Sequence, residues 1–467
     1  MSSPSLTELT QQAQVLKGQG RHSEALDAFR AIVDSAPNNT SVMHNYAAAL
    51  GDAGRNREAV KMLRNAFGKG LNAPESWLVF ARALSGIQEF DEAKTAFLNL
   101  IHLNPVDHDA HRELAQLIWM QTNDREKALV YLNKAIADNP TIGALHIARA
   151  QVFGQTGDSQ AEYSVLKEAA RLSGDPHLQY AACNSAMAVE AFDEAVAFGR
   201  EAASKLPEED GVVAAYATAL LGAGDAAEAV LLIERLRDRQ PVNQFFIALQ
   251  ATVWRLLEDD RYKVLMDYEN LVHAAPLGVP DGWSNFDTYI DDLIEALDVA
   301  HKFQTHPFFQ SVRHGSQISS ITGADNRAMQ AFGEALAEPA RQYVDRLTGG
   351  ADPLRRRNLG GFRLFSSWSI SLPPDGHHVN HVHPEGWLSS ACHLRAPEND
   401  SAGENAGWLK FGEPGVKTLP ALKPEYMVKP QRGVMVIFPS YMWHGTIDFK
   451  DDPARLTLAA DLVPSQS

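Results

Sequence analysis

The chain has 467 residues, of which 45% are hydrophobic and 21% are charged. This balance is typical of packed globular domains and excludes a mainly disordered protein. Its 42 basic and 58 acidic residues give a formal net charge of −16, which argues against a broad nucleic-acid-binding surface and against binding to an anionic membrane. The two cysteines lie far apart and cannot build a disulfide framework, so a reducing compartment is expected.

The first residues, MSSPSLTELTQQAQ, are polar and lack the apolar core of a signal segment. The sequence also lacks a run of the roughly 18–20 apolar residues that span a bilayer. We therefore expect a cytoplasmic protein. At roughly 150 residues per domain, its length indicates two to four domains. The oligomeric state cannot be predicted from these features.

A small residue recurs along the first half of the chain at steps close to 34 residues. The recurring residues are Ala25, Ala59, Ala93, Ala128, Ala161, Ala195 and Ala229. Gly-rich turns such as GDAGR precede most of them and prolines close many units, so each unit is predicted as helix, turn, helix and break. Alanine lets two helices approach closely while it keeps a high helix propensity. An ordinary helical bundle with accidental spacing is the alternative.

This pattern resembles the tetratricopeptide repeat, with about seven units within residues 1–245. The resemblance implies an all-α solenoid whose groove binds a peptide or protein partner. Residues 246–280 are predicted to form a helical linker. Residues 281–467 are predicted to form a separate domain with a helical lead-in and a β core over about residues 355–467. There, short β-prone runs such as GVMVIFPS alternate with loops rich in Gly, Pro, Asn and Asp, a pattern typical of an all-β sandwich or barrel.

Histidines are concentrated in this β region, in the run GHHVNHVHPEGWLSS. Residues two apart on a strand share a face, so His381 and His383 can point toward one metal ion. His444 follows another β-prone run, and eleven residues later Arg455 opens the alternating segment RLTLAADL, which puts Arg455 and Thr457 on one face. An arginine on an inner face requires an anion, such as the carboxylate of a small cosubstrate.

Residues from about 277 to 467 resemble iron(II)- and 2-oxoglutarate-dependent dioxygenases, most closely the bacterial and phage branch related to prolyl hydroxylases. The matching segments are HVHP, WLSS, GWLKF, GVMVIFPSYMWHGT and ARLTLAADL. The resemblance implies a double-stranded β-helix, a jelly-roll or cupin-like fold, with Fe(II), O2 and 2-oxoglutarate. It also implies that His381, His383 and His444 bind the iron. Arg455 would pair with the distal carboxylate of 2-oxoglutarate, with help from the hydroxyl of Thr457.

His383 stands where the family usually has a carboxylate, so the third iron ligand is open. In one interpretation His383 itself binds the metal in a three-histidine site. In the second, His383 and Glu385 form the usual H-x-E pair, although Pro384 and Gly386 should turn the strand there. In the third, iron binding has been lost.

Other residues of the region are assigned smaller roles. His377 and His378 are predicted in a loop, where one of them could support a ligand. His393 is a candidate neighbour of the cosubstrate, because relatives often have a tyrosine there. Cys392 is predicted to be inert. Four tryptophans are predicted mainly as core or rim residues: Trp368, Trp387, Trp408 and Trp443.

The expected activity is hydroxylation of a peptide or protein side chain, with prolyl, aspartyl or asparaginyl residues as the family-level expectation. It would be coupled to oxidative decarboxylation of 2-oxoglutarate to succinate and carbon dioxide. One alternative is hydroxylation of a free amino acid or small metabolite. Two others are a repeat-based scaffold with a non-catalytic metal-binding β domain, and a metal-dependent cupin that does not use 2-oxoglutarate. Arg455 separates these, because neither of the last two needs an anion clamp.

Overall fold

The computed structural model describes residues 5–18, 21–396, 401, 403–450 and 453–466. The chain divides into two compact units. The first comprises Met1–Trp119 and Asp124–Val152, and the second comprises Met120–Asn123 and Phe153–Ser467. This division falls within the repeats, so the domain boundaries at residues 245 and 280 stay predictions. No helix of the described ranges is both long and apolar enough to cross a bilayer.

The N-terminal region is built from successive helices, and neighbours in sequence such as the fifth and sixth, or the eleventh and twelfth, pack against each other. Their bounds are α1 (Leu6–Gly18), α2 (His22–Ser35), α3 (Thr40–Asp52), α4 (Asn56–Gly68), α5 (Pro74–Gly86), α6 (Phe90–Leu103), α7 (His108–Thr122), α8 (Arg125–Asp138), α9 (Gly143–Gln155), α10 (Ser159–Ser173), α11 (Pro176–Ala188), α12 (Phe192–Lys205), α13 (Asp210–Ala223), α14 (Ala226–Arg239) and α15 (Gln244–Leu256). The predicted all-α repeat region is confirmed.

The recurring alanines occupy the fourth position of the second helix of each unit and are buried, with one exception. In α10 the fourth position is Glu162, so the prediction that Ala161 is the equivalent small residue was wrong. The space comes from Gly154 on α9 instead, because a Cβ atom there would collide with the Glu162 carboxylate. Burial raises the pKa of Glu162 to about 7. The small residue has therefore moved to the partner helix in this unit.

Five further helices and eleven strands follow the repeats within the described part of the chain. The helices are α16 (Arg261–Leu265), α17 (Tyr268–Leu271), α18 (Phe286–Ala300), α19 (Arg327–Gln330) and α20 (Phe332–Arg346), with 3-10 turns at Ile321–Gly323 and Arg355–Arg357. The strands are β1 (His273–Pro276), β2 (Val312–Arg313), β3 (Ser316–Ser319), β4 (Gly360–Leu372), β5 (His377–His378), β6 (Leu388–Arg395), β7 (Leu409–Phe411), β8 (Tyr426–Val428), β9 (Val434–Pro439), β10 (His444–Thr446) and β11 (Arg455–Gln466).

The strands form antiparallel sheets of a jelly-roll type. A six-stranded sheet has the order β1-β9-β6-β11-β4-β3, a three-stranded sheet has the order β10-β7-β8, and β2 pairs with β5. In the large sheet, β11 is central and lies between β4 and β6. One face of β11 belongs to the main hydrophobic core, through Leu456, Leu458, Ala460 and Leu462. The alternation predicted from the sequence is therefore present, and the opposite face is available to a site.

Within the second unit, the last repeat helices pack directly against the β region. Helix α13 is buried along nearly its whole length, because Trp443 and the partly buried Val382 pack in the same cluster as α13, α14 and α15. The Trp443 indole N–H donates to the Thr252 hydroxyl on α15 at 2.9 Å. The backbone N–H of Gln244, also on α15, donates to the Pro384 carbonyl at 3.1 Å. Helix α15 thus contacts two separate segments of the β region.

Candidate metal centre and anion pocket

Three histidines converge between the sheets. His381, His383 and His444 each offer a ring nitrogen, and these nitrogens all lie within 4.8 Å of one another. The ring centroids of His381 and His444 are 4.3 Å apart, and that of His383 lies 5.1 Å from each of them. Imidazole nitrogens at this spacing can bind one transition-metal ion.

Backbone pairing holds these rings in place. The backbone N–H of His381 donates to the His444 carbonyl at 2.9 Å, and the N–H of His444 donates back at 3.1 Å. The N–H of His383 donates to the Ser440 carbonyl at 3.1 Å. The first two histidines are thereby tied to β10 and to the end of β9, although more than sixty residues separate them from His444 in sequence.

An oxygen atom faces one nitrogen of each ring. The Nδ1 atoms of His381 and His444 lie 2.9 Å from the carbonyls of Val379 and Met442, respectively. The Nδ1 atom of His383 lies 2.6 Å from the Asp461 carboxylate. Because carbonyl and carboxylate oxygens only accept hydrogen bonds, each Nδ1 carries the proton. Each Nε2 is therefore left with the lone pair that a metal requires.

Burial favours the neutral form of His381 and of His444. Burial, and then the neighbouring His383, lower the pKa of His381 to about 3. The pKa of His444 falls well below its usual value, because of burial first and then because of the nearby His381 and His383. Neutral imidazole is the form that binds metal.

The alternative ligand Glu385 is exposed and lies outside the group of converging ligand atoms. His378 was predicted in a loop but lies on β5, and it lines the same cavity as the three histidines. The Ser311 hydroxyl is 3.0 Å from Nδ1 of His378 and 3.3 Å from Nε2 of His381. Ser311 thus lies beside a nitrogen that faces the metal position. The sequence analysis missed it, because it precedes the histidines by some seventy residues.

Arg455 lies at the other end of the cavity and is only 2% exposed. Its Nη1 donates to the Thr446 hydroxyl, and its Nη2 contacts Nε2 of His393. Both partners are uncharged, since burial and the adjacent guanidinium lower the pKa of His393 well below its usual value. Among the described residues, no carboxylate forms an ion pair with Arg455, and its Nε has no hydrogen-bond acceptor. Burial lowers the pKa of Arg455 to about 9, so it is a cation at neutral pH.

Thr457 lines the cavity, but the hydroxyl that contacts the guanidinium belongs to Thr446. Thr446 ends β10 and therefore comes from the sheet that faces Arg455. The sequence analysis did not identify Thr446 or Asp461. Asp461 could have been identified, because the alternation that pairs Arg455 with Thr457 continues to Asp461.

The cavity between the two ends contains about 390 Å³ of space between protein atoms, part of which is open to solvent. Its lining residues are Trp368, Ile370, His378, His381, His383, Ser390, Ala391, Leu409, His444, Gly445, Thr446, Arg455, Thr457 and Ala459. A metal fits at one end because three imidazole nitrogens face each other. A small dianion fits at the other because the buried guanidinium lacks a described acidic partner. The residues present therefore fit both Fe(II) and 2-oxoglutarate.

The remaining candidates divide between the cavity and the core. Trp368 lines the cavity, and its ring lies 5.2 Å from that of His383. Trp387 is fully buried in the main core, and Trp443 packs against the last repeats. Cys392 is fully buried, and burial raises the pKa of its thiol. That environment agrees with an inert thiol.

The fold and the convergent histidines define a jelly-roll domain with a candidate metal site, preceded by helical repeats. Residues 366–461 match a family described as "Putative 2OG-Fe(II) oxygenase", and residues 78–141 match the family described as "Tetratricopeptide repeat". These two matches confirm the resemblances predicted from the sequence, to an oxygenase domain of this kind and to tetratricopeptide repeats. No curated protein matches the chain significantly.

Several solved structures are similar to the chain. One is a tetratricopeptide repeat protein from Parabacteroides merdae, with 14% identity and a TM-score of 0.36 over 53% of this chain and 98% of that chain. Another is MamA, with 19% identity and a TM-score of 0.28 over 34% of this chain and 92% of that chain. A third is Naa15/Naa10 bound to HypK-THB, with 17% identity and a TM-score of 0.28 over 56% of this chain and 41% of that chain. These scores are too low to support further comparison.

Proposed function

We propose that the protein is an Fe(II)- and 2-oxoglutarate-dependent dioxygenase that hydroxylates a peptide or protein side chain. The observation that carries this proposal is the buried cation Arg455, which shares one cavity with three metal-competent histidines and has no described acidic partner. A metal site alone would fit many reactions. A metal site with an unmatched guanidinium fits a reaction that needs a carboxylate beside the metal.

Each group at the site has an assigned role. Nε2 atoms of His381, His383 and His444 would bind Fe(II), which supplies the activation of O2 coupled to oxidative decarboxylation of 2-oxoglutarate. Arg455 and the Thr446 hydroxyl would hold the distal carboxylate. In the net reaction one oxygen atom of O2 converts the substrate C–H bond to C–OH, and the other enters succinate, which forms from 2-oxoglutarate with release of carbon dioxide.

The apolar lining has its own part in this reaction. The rings and chains of Trp368, Ile370 and Leu409 form much of the wall between the two ends of the cavity. Such a wall limits the access of water to the metal and strengthens the attraction between Arg455 and a carboxylate.

A peptide or protein substrate is favoured by the attached repeats, because tetratricopeptide repeats generally bind proteins. Helix α15 supports this link, since its contacts with Pro384 and Trp443 are adjacent in sequence to His383 and His444. A free amino acid or small metabolite is the second substrate class. A scaffold with a non-catalytic metal site, or a cupin without 2-oxoglutarate, leaves the buried charge of Arg455 unexplained.

The test is conversion of 2-oxoglutarate to succinate by the full chain with Fe(II) and O2, first without a substrate and then with pooled peptides or free amino acids. We expect slow turnover without a substrate and faster turnover with the peptides. His444→Ala should abolish both, because it removes a metal ligand. The matched control is His177→Ala, since the His177 side chain is 62% exposed in the repeats.

Three results would contradict the proposal in different ways. Turnover that survives His444→Ala would remove this histidine from the metal site. Stimulation by free amino acids alone would favour the second substrate class. Tight metal binding by the wild type without binding or turnover of 2-oxoglutarate would favour the scaffold.

A further inference from the structure

A buried carboxylate stands one hydrogen bond away from the metal position. Asp461 is 7% exposed, and its Oδ1 lies 2.6 Å from Nδ1 of His383. The same oxygen accepts a hydrogen bond from the Ser389 hydroxyl at 2.7 Å. Ser389 is fully buried and lies directly opposite Asp461 on the adjacent strand β6. The carboxylate is therefore fixed by two donors and held against one ring.

The position of Asp461 follows from the pleat of a single strand. Residues two apart on β11 point to one side, which carries Arg455 and Thr457 to the cavity and Asp461 to the histidines. The pairing of β11 with β4 shifts register directly after Asp461. One strand thus places a cation at the anion pocket and a carboxylate behind the metal centre.

The carboxylate of Asp461 balances the formal charges that the cavity would hold with its ligands bound. None of the described residues that line the cavity is acidic, and histidines bind a metal as neutral imidazoles. Fe(II) brings two positive charges, 2-oxoglutarate two negative charges and Arg455 one positive charge. Without Asp461 one positive charge would be left in a water-poor site, which is strongly unfavourable. With Asp461 the formal charges cancel.

We propose that Asp461 is a positioning residue that takes over the electrostatic role of a carboxylate ligand in this three-histidine site. It fixes the ring of His383 with Nε2 toward the metal, and it makes that nitrogen a stronger donor through the Nδ1–H bond. The charge balance with bound 2-oxoglutarate rests on the proposed function. The effect of Asp461 on metal binding does not.

The test uses Asp461→Asn in the full chain, because asparagine keeps the shape and the acceptor oxygen but removes the charge. Co(II) alone is the first probe, with affinity and visible absorption spectrum as readouts. We expect Co(II) affinity to fall roughly 10- to 100-fold and the absorption bands to shift. The second readout is the Fe(III)/Fe(II) midpoint potential. It should rise, because the carboxylate charge stabilises Fe(III) and its removal makes Fe(III) easier to reduce.

Two further variants separate charge from packing. Ser389→Ala removes the second donor to Asp461 but keeps its charge, so it should shift affinity and potential less than Asp461→Asn. His383→Asp combined with Asp461→Asn moves the carboxylate to the ligand position. This double variant should bind Co(II) more tightly than Asp461→Asn alone. If Asp461→Asn fails to fold, Ser389→Ala still tests the proposal, because a carboxylate that has lost a hydrogen-bond donor should stabilise Fe(III) and slightly lower the potential.

Unchanged Co(II) affinity and unchanged potential in Asp461→Asn would overturn the proposal. So would equal losses in Asp461→Asn and Ser389→Ala without recovery in the double variant, since that result indicates a packing role. These outcomes are independent of the proposed function. Co(II) binding that depends on Asp461 in a protein that never consumes 2-oxoglutarate would refute the dioxygenase and leave this inference standing.

Discussion

The two ends of the cavity differ in whether their polar groups are already matched by partners in the fold. At the histidine end, each Nδ1 faces an oxygen, and three imidazole rings already converge in the metal-free fold. At the arginine end, the guanidinium of Arg455 meets only neutral partners, and its Nε has no acceptor among the described residues. The histidine end lacks only the metal ion itself. The second end carries an unmatched charge that only an incoming anion can neutralise.

This difference has a thermodynamic consequence. Preorganised neutral ligands cost the metal-free protein little, whereas a buried and unpaired cation destabilises it. Binding of a dianion should therefore stabilise the fold more than its few contacts suggest. Ligand binding adds RT ln(1 + [L]/Kd), or about 2.7 kcal/mol at 100 times Kd.

The variant with the largest expected effect is Arg455→Met, which tests whether the two ends of the cavity differ in this way. Methionine fills a similar volume without a charge, so the metal-free protein should become more stable, by about 1–4 kcal/mol, as when buried ion groups are replaced by apolar ones. Affinity for 2-oxoglutarate should fall at the same time by roughly 100-fold or more, since a buried charge pair loses one member. Chemical denaturation and calorimetric titration measure the two effects.

The matched control for this variant is Arg363→Met, because Arg363 is exposed on β4. It should change neither quantity. A less stable Arg455→Met protein that still binds 2-oxoglutarate normally would mean that the guanidinium is satisfied by the fold itself. The two ends of the cavity would then not differ in the way described.

A smaller effect is expected from Thr446→Val, which removes the hydroxyl that accepts a hydrogen bond from Arg455. Hydrogen bonds to charged groups contribute about 1.5–3 kcal/mol, so 2-oxoglutarate should bind roughly 10- to 100-fold more weakly. Thr457→Val is the matched comparison, and we expect it to weaken binding less. If titrations showed that Thr457→Val weakens 2-oxoglutarate binding more than Thr446→Val, the assisting role would belong to Thr457, the residue predicted from the sequence.

The pair Thr446 and Thr457 shows how far the sequence could lead. Alternation along one strand is local, so RLTLAADL predicts that Arg455 and Thr457 share a face, and β11 has that alternation. The contact with Thr446 joins two different sheets, and no local pattern encodes it. Asp461 is an intermediate case: its face could be predicted from the sequence, but its contact with His383 spans 78 residues. The recognised families and the fold class are confirmed, while the roles of the site residues stay predictions.

The same limit applies in the repeats. A spacing near 34 predicted the helical units correctly, yet it assigned Ala161 to a place that Glu162 occupies. The spacing was satisfied within one residue by either choice. The structure selects between them through Gly154, which lies on the partner helix and makes room for the larger side chain. Compensation between two helices is not visible in a pattern read along one of them.

The smallest effect concerns the support behind the histidine end. The Thr252 hydroxyl accepts from the Trp443 indole and donates to the Ala248 carbonyl of its own helix. Thr218→Val is a matched control, because the buried Thr218 hydroxyl also bonds a carbonyl of its own helix, that of Ala215.

The difference between Thr252→Val and Thr218→Val in free energy of unfolding therefore isolates the indole bond. We expect about 1 kcal/mol, the usual net contribution of one hydrogen bond. Co(II) affinity should change less than threefold, since the backbone pairing of His381 with His444 still holds both rings. A large loss of Co(II) affinity in Thr252→Val alone would mean that the repeats, and not the sheets, fix the histidine geometry. The histidine end would then be preorganised only while helix α15 is in place.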